Sequence, residues 1–309
     1  MKKIIAILSI FILSCNIIIF PHAQEEVLNE TNSTIENKIS YQTNESSVYL
    51  DAESKLSFAE EMDMRCEEAL ENGELQILSE DEKNELLMEF SFATGEEREQ
   101  MRLELEKYGI YEFEPDVQSD SEIVPYSDSG DVTVNTPSVV YDSISKTWVV
   151  MCGGTWKNSN WMDSLKTGNV GGQDGFGVGY TNIGSSYKSS VVSVSAAIRD
   201  QSGTISKTTT NRSDGDGSKG FGFRLQDYVT SDGNSYVGYK WSGSCTYDSN
   251  FGSYSGIATG YYLHTWSSTS INSVSFGIEG KTAGIDIEFS STANSFTAFG
   301  SDKKFGTAN

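Results

Sequence analysis

The chain has 309 residues, with 44 acidic against 22 basic side chains, a formal net charge of −22, two histidines and four cysteines. A surplus of carboxylates repels phosphate backbones, and no basic stripe offsets it, so a nucleic-acid partner is excluded. The scarcity of histidine leaves little room for zinc sites or catalytic triads, which commonly take histidine as ligand or base.

Charge is unevenly placed: residues 24–130 hold 30 acidic and 7 basic side chains, whereas residues 131–309 hold 14 and 13. In chain order the patterns divide the protein into five segments. Met1-Lys2-Lys3 and the apolar run Ile4 to Phe20 have the form of a secretory signal peptide over residues 1–23, with the mature chain beginning near Gln24. Pro21, two positions before a cut after Ala23, leaves the cleavage point open. An alternative takes Ile12-Leu13-Ser14-Cys15 as a lipoprotein box that would anchor the chain through Cys15. Against it, the apolar run continues past the cysteine. The expected location is extracellular, with no transmembrane span in the mature chain.

Residues 24–50, rich in Asn, Glu, Ser and Thr, read as a disordered leader. Residues 51–110 read as a short acidic helical segment. Leu56, Ala59, Met62, Cys66 and Leu70 recur at helical spacing, Ser79-Glu80-Asp81-Glu82 forms a capping box, and Thr94-Gly95-Glu96-Glu97 opens a third helix in the same way. That segment is either a removable pro-segment or a solvated spacer. Residues 111–131, acidic and Ser/Pro-containing, read as a linker.

From residue 132 to 309 the texture turns to Gly, Ser and aromatics with period-two alternation, as in Val192/Val194/Ala196, Val274/Phe276/Ile278 and Ile285/Ile287/Phe289. Strands are also expected at 146–152, 175–181, 204–210, 220–228, 236–245, 256–266 and 295–299. Asp214-Gly215-Asp216-Gly217 and Asp232-Gly233-Asn234 punctuate them. About ten short strands at this spacing predict a mostly β chain, an antiparallel β-sandwich or barrel following the helices.

Few residues point to chemistry. Cys152 and Cys245 both fall in the β region of an exported chain, so a disulfide between them is expected, with Cys66 left as a buried thiol. His264 is the single histidine after residue 23; it reads as a structural residue on an aromatic face, or as the base of a hydrolase. Asp214 and Asp216 have the spacing of part of a calcium loop, but Lys219 stands where another acid would be needed, so the segment reads as a tight turn. No metal, cofactor or catalytic residue is assigned.

Aromatics are the stronger signal. Trp156, Trp161, Tyr239, Trp241 and Trp266 are candidate ligand-binding residues, because exposed indole and phenol faces stack on sugar rings, while filling a Gly/Ser-rich core is the competing use. Trp156 and Trp161 flank what reads as a polar loop. The leading functional expectation is a non-enzymatic binding module for a glycan or other cell-surface ligand. A secreted toxin with a membrane-active hairpin over Thr265 to Phe289, and a hydrolase using His264, are the alternatives. Nothing in the sequence fixes the oligomeric state.

Overall fold

The computed structural model describes residues 50–51, 53–114, 131–157, 166–184, 187–204, 206–305 and 307–308. The expected signal peptide, Cys15, nearly all of the leader, most of the 111–131 linker and Trp161 lie outside these residues.

Strand β1 (Leu50–Asp51) leads into helices α1 (Glu53–Glu71), α2 (Glu80–Phe92) and α3 (Gly95–Glu106), then β2 (Ile110–Glu112). The strands β3 (Val132–Val134), β4 (Ser138–Asp142), β5 (Thr147–Trp156), β6 (Gly168–Asn169), β7 (Asp174–Thr181), β8 (Val191–Arg199) and β9 (Ser206–Thr209) follow. After them come β10 (Gly220–Leu225), β11 (Tyr228–Val229), β12 (Tyr236–Val237), β13 (Lys240–Tyr247) and β14 (Gly256–Thr265). The hairpin β15 (Ile271–Phe276) and β16 (Ile285–Phe289), then β17 (Ser295–Phe305) and β18 (Thr307–Ala308), complete the fold. All strand pairings are antiparallel.

Two sheets make the sandwich. The larger has the order β2-β4-β5-β13-β8-β9, with β3 also on β5, and the smaller has β10-β7-β14-β17. Neither closes into a barrel. Alternation assigns each side chain to a layer. Along β5, Trp148, Val150 and Cys152 face the interior between the sheets, while Val149 and Met151 face the helices with Leu87, Phe90 and Leu105. Along β7, Phe176, Val178 and Tyr180 fill the interior. The intervening Gly175, Gly177 and Gly179 turn outward under the hairpin, where Ile271, Val274 and Ile285 pack with Tyr261 and Leu263. The order of layers is α2 and α3, larger sheet, smaller sheet, hairpin, with α1 packed against the interior cluster.

The helices are therefore part of the β body. Phe58, Ala59 and Met62 of α1 join the sandwich core, and Ile110–Glu112, spanning the expected junction of the helical segment with the 111–131 linker, is a strand on the edge of the larger sheet. Charged side chains fasten this layer. Lys55 is fully buried: its Nζ donates to the carbonyls of Phe251 (2.7 Å) and Tyr254 (2.9 Å) and lies 3.9, 4.8 and 5.0 Å from the ring centroids of Phe251, Trp148 and Phe305. Burial holds this amine well below the usual lysine range. Arg199 of β8 reaches Glu85 and Glu89 of α2, and Arg98 of α3 reaches Glu112 and Ser138. The capping box at Ser79 and Glu82 forms as expected. Thr94 caps α3 without a side-chain bond, so the second box does not form. At the edge, β1 pairs with β18, Leu50 opposite Ala308.

The expected disulfide is absent: Cys66, Cys152 and Cys245 are free and buried. Register explains why. Cys152 lies opposite Gly243 and Cys245 opposite Val150 on neighbouring strands, a diagonal pair. Diagonal positions are about 7–8 Å apart, beyond the Cα separation a disulfide tolerates. Burial pushes both thiols up to about 12. They are inert apolar filling rather than nucleophiles.

Candidate functional site

A closed polar centre lies at one end of the smaller sheet. Asp174 opens β7, Tyr262 and His264 project inward from β14, Asp227 occupies the short connection between β10 and β11, and Tyr236 comes from β12. The residues are brought together by strand pairing: Tyr262 stands opposite Phe176, two residues along from Asp174.

Asp174 is almost entirely buried and accepts from the Tyr262 hydroxyl (2.6 Å), the Thr265 amide (3.0 Å) and His264 Nδ1, which lies 3.0 Å from both carboxylate oxygens. Asp227, at 0% exposure, accepts from the Tyr236 hydroxyl (2.7 Å) and from the Gln226 amide (3.3 Å). Burial, and then the neighbouring Asp174 carboxylate, pushes Asp227 up to about 9, so it carries a proton at neutral pH. Burial also holds Tyr236 and Tyr262 well above the usual phenol range, keeping them as hydrogen-bond donors. One ligand atom each from Asp174, Asp227 and His264 lies within 4.8 Å of the other two, a donor set able to share a cation.

The aromatic candidates wall this centre instead of facing solvent. Trp156 meets the His264 ring edge-on at 5.1 Å, Trp266 lies 5.6 Å from it, and Trp241 stacks on Tyr262 at 3.8 Å and 15°. Trp156 is 4% exposed, Trp241 1% and Tyr239 8%. Trp266 is half-buried. Trp156 is the last residue of strand β5, and residues 158–165, expected as a polar loop, lie outside the described residues. Gly154 makes room for this packing, since a Cβ there would come within 2.3 Å of the Trp241 ring. Tyr239 joins through its backbone, its carbonyl accepting from the Trp156 amide at 3.0 Å.

The calcium-loop aspartates are committed elsewhere. Asp214 is held by Arg224, with Nε at 2.7 Å, and Asp216 accepts from the amide and hydroxyl of Ser218 at 2.8 and 2.6 Å. The segment is a tight turn with an ion pair at its base. In the hairpin, Ile271, Val274 and Ile285 face the sheet, while Asn272, Ser275, Asp286 and Glu288 are exposed.

An open recess lies on the helical side. Between α1 and α3, Ala69, Leu75, Leu103 and Tyr111 form the apolar part of a groove of about 570 Å³, with Arg65 and Lys107 among the charged residues at its rim. The Arg65 guanidinium covers the Tyr111 ring at 5.4 Å, so that ring offers no free stacking face.

Asp174 and Asp227 carry no motif in the sequence. Asp174 heads an alternating Gly/aromatic strand and Asp227 follows a glutamine in a short turn, and only strand pairing reveals that both meet the lone histidine. No known protein-family model matches the chain, and no curated protein matches it.

Proposed function

We propose that the protein acts outside the cytoplasm as a non-enzymatic binding module, a rigid β body that presents the groove between α1 and α3 to a cell-surface glycan. One contrast supports this reading: the His264 centre is sealed, with the His264 and Asp174 side chains 5% and 2% exposed, whereas the groove is open to solvent. A hydrolase must admit its substrate to the base, and a binding module needs only a preformed recess. The volume suits a few sugar units. Ala69, Leu75 and Leu103 offer apolar contact to C–H faces, and Arg65, Asn72, Lys107 and the rim glutamates offer hydrogen bonds to hydroxyls.

The hairpin toxin is the weaker alternative, because the hairpin's apolar face already packs on the smaller sheet and would have to peel away to enter a bilayer.

The test is retention of the full chain on purified cell-wall polysaccharide. Leu103→Asp combined with Lys107→Glu should reduce retention at least about tenfold, with the melting temperature nearly unchanged, because Leu103 is 53% exposed and Lys107 is an exposed residue paired with half-buried Glu104. Retention unaffected by this double variant but lost in Trp266→Ala would move the binding surface to the end of the smaller sheet. No retention of the unaltered chain would remove the glycan.

A further inference from the structure

We propose that Asp174, Asp227 and His264 form a binding site for one divalent transition-metal ion of the zinc or manganese kind, taken up as the chain folds. The proposal concerns the closed centre and is independent of the groove. Its geometry carries the argument. His264 Nδ1 lies 3.0 Å from Asp174 Oδ1 and Oδ2. That is about the spacing of two adjacent donors sharing an ion at bond lengths of about 2.0–2.2 Å. The third donor, Asp227, falls within 4.8 Å of the others, so a shift of roughly 1 Å completes the set.

Each carboxylate is also oriented by a second layer of donors: Tyr262 and the Thr265 amide on Asp174, Tyr236 and Gln226 on Asp227. Outer partners of this kind fix ligand direction and raise metal affinity.

The donor set selects the ion. One imidazole and two carboxylates suit borderline ions, whereas calcium prefers six to eight oxygens, and the His264 side of the centre is aromatic, lined by Trp156, Trp266 and Phe296. No thiol belongs to the cluster among the described residues, which disfavours copper(I). Burial of all three ligands points to an ion that stabilises the fold and exchanges slowly.

The full chain is refolded with Zn²⁺ or Mn²⁺ in turn, or with EDTA, then desalted and measured by elemental analysis and thermal melting. The expected result is about one ion per chain and a melting temperature about 5 °C or more above the EDTA-treated protein. Asp227→Asn keeps the shape of the side chain and should fold, with ion content reduced at least about tenfold. Should that variant fail to fold, His264→Gln carries the same expectation. Asp214→Asn, altering a carboxylate outside the centre, should retain the ion. Fewer than about one ion per ten chains, identical melting with ion and with EDTA, or equal ion content in Asp227→Asn and the unaltered chain would each overturn the proposal.

Discussion

Helices α2 and α3 cover one outer face of the sandwich with long charged side chains laid over apolar contacts, whereas the β15–β16 hairpin covers the other face by close approach over glycines. On the helical side Arg98 and Arg199 cross between layers to carboxylates, and Lys55 of α1 reaches two carbonyls in the interior cluster. On the hairpin side a Cβ at Gly179 would stand 2.4 Å from the Ala283 carbonyl and 2.7 Å from Ile285. The first attachment depends on a few specific polar partners, the second on the absence of a side chain. The two faces should therefore fail in different ways when altered.

The largest effect is expected at Lys55. Lys55→Ala leaves two carbonyls without their donor and a void among three rings, and should destabilise by about 3–5 kcal/mol in a denaturant titration. Lys55→Met restores volume without the ammonium; if it matches the alanine variant, hydrogen bonding dominates, and if it recovers most of the loss, packing does. On the opposite face Gly179→Val should cost about 2–3 kcal/mol, because the obstructing atoms include backbone. Gly184→Ala, where a Cβ would meet nothing within 4 Å, is the neutral control. Equal stabilities for the two glycine variants would refute the close-approach account of the hairpin.

A smaller effect per unit of pH comes from Asp227, which belongs to neither outer layer. Its carboxyl sits at about 9 when folded, against about 4 in an unfolded chain, so between those values the folded state binds the extra proton. Stability in EDTA should therefore be fullest below about pH 4 as far as this group is concerned and be lost as pH rises toward 9. The slope is on the order of 1 kcal/mol per pH unit. Asp227→Asn should flatten that slope, and an unchanged pH profile would place the proton elsewhere. The smallest effect concerns the thiols: reductant should leave the melting temperature unchanged, and Cys66, Cys152 and Cys245 should react with a thiol reagent only after denaturation.

Much of the architecture was legible in residue order. Alternation and turn signals located the longer strands from β5 onward, though not β6 or β18, and read β11 and β12 as parts of longer strands; Ser79 with Glu82 located the start of α2. Strand β4 was not legible because Ser138–Asp142 is buried on both faces and so has no alternation. Hydrophobicity also misplaced the buried face of α1. Met62 and Cys66 are buried, but Leu56 and Leu70 are 43% and 49% exposed while Lys55 is fully buried, because tertiary carbonyls and rings make that position suitable for an amine. At the polar centre, His264 and its aromatic face could be read from the sequence. Asp174 and Asp227 could not, since their partners lie 90 and 9 residues away and meet them only through sheet pairing. The tryptophans were ambiguous because an indole suits a core and a sugar platform equally well; burial places Trp156 and Trp241 in the core, with Gly154 making room for Trp241.

The pairing of β1 with β18 also has a mechanical consequence. In this antiparallel pair the chain enters at Leu50 and leaves at Ala308 on the same side, so tension drawn between the preceding and following segments would unzip the bonds one after another instead of shearing them together. The next obstacle on that route is α1, held by the caged amine of Lys55 together with Phe58, Ala59 and Met62. Under load the molecule would yield first at a weak latch and then at a strong bolt.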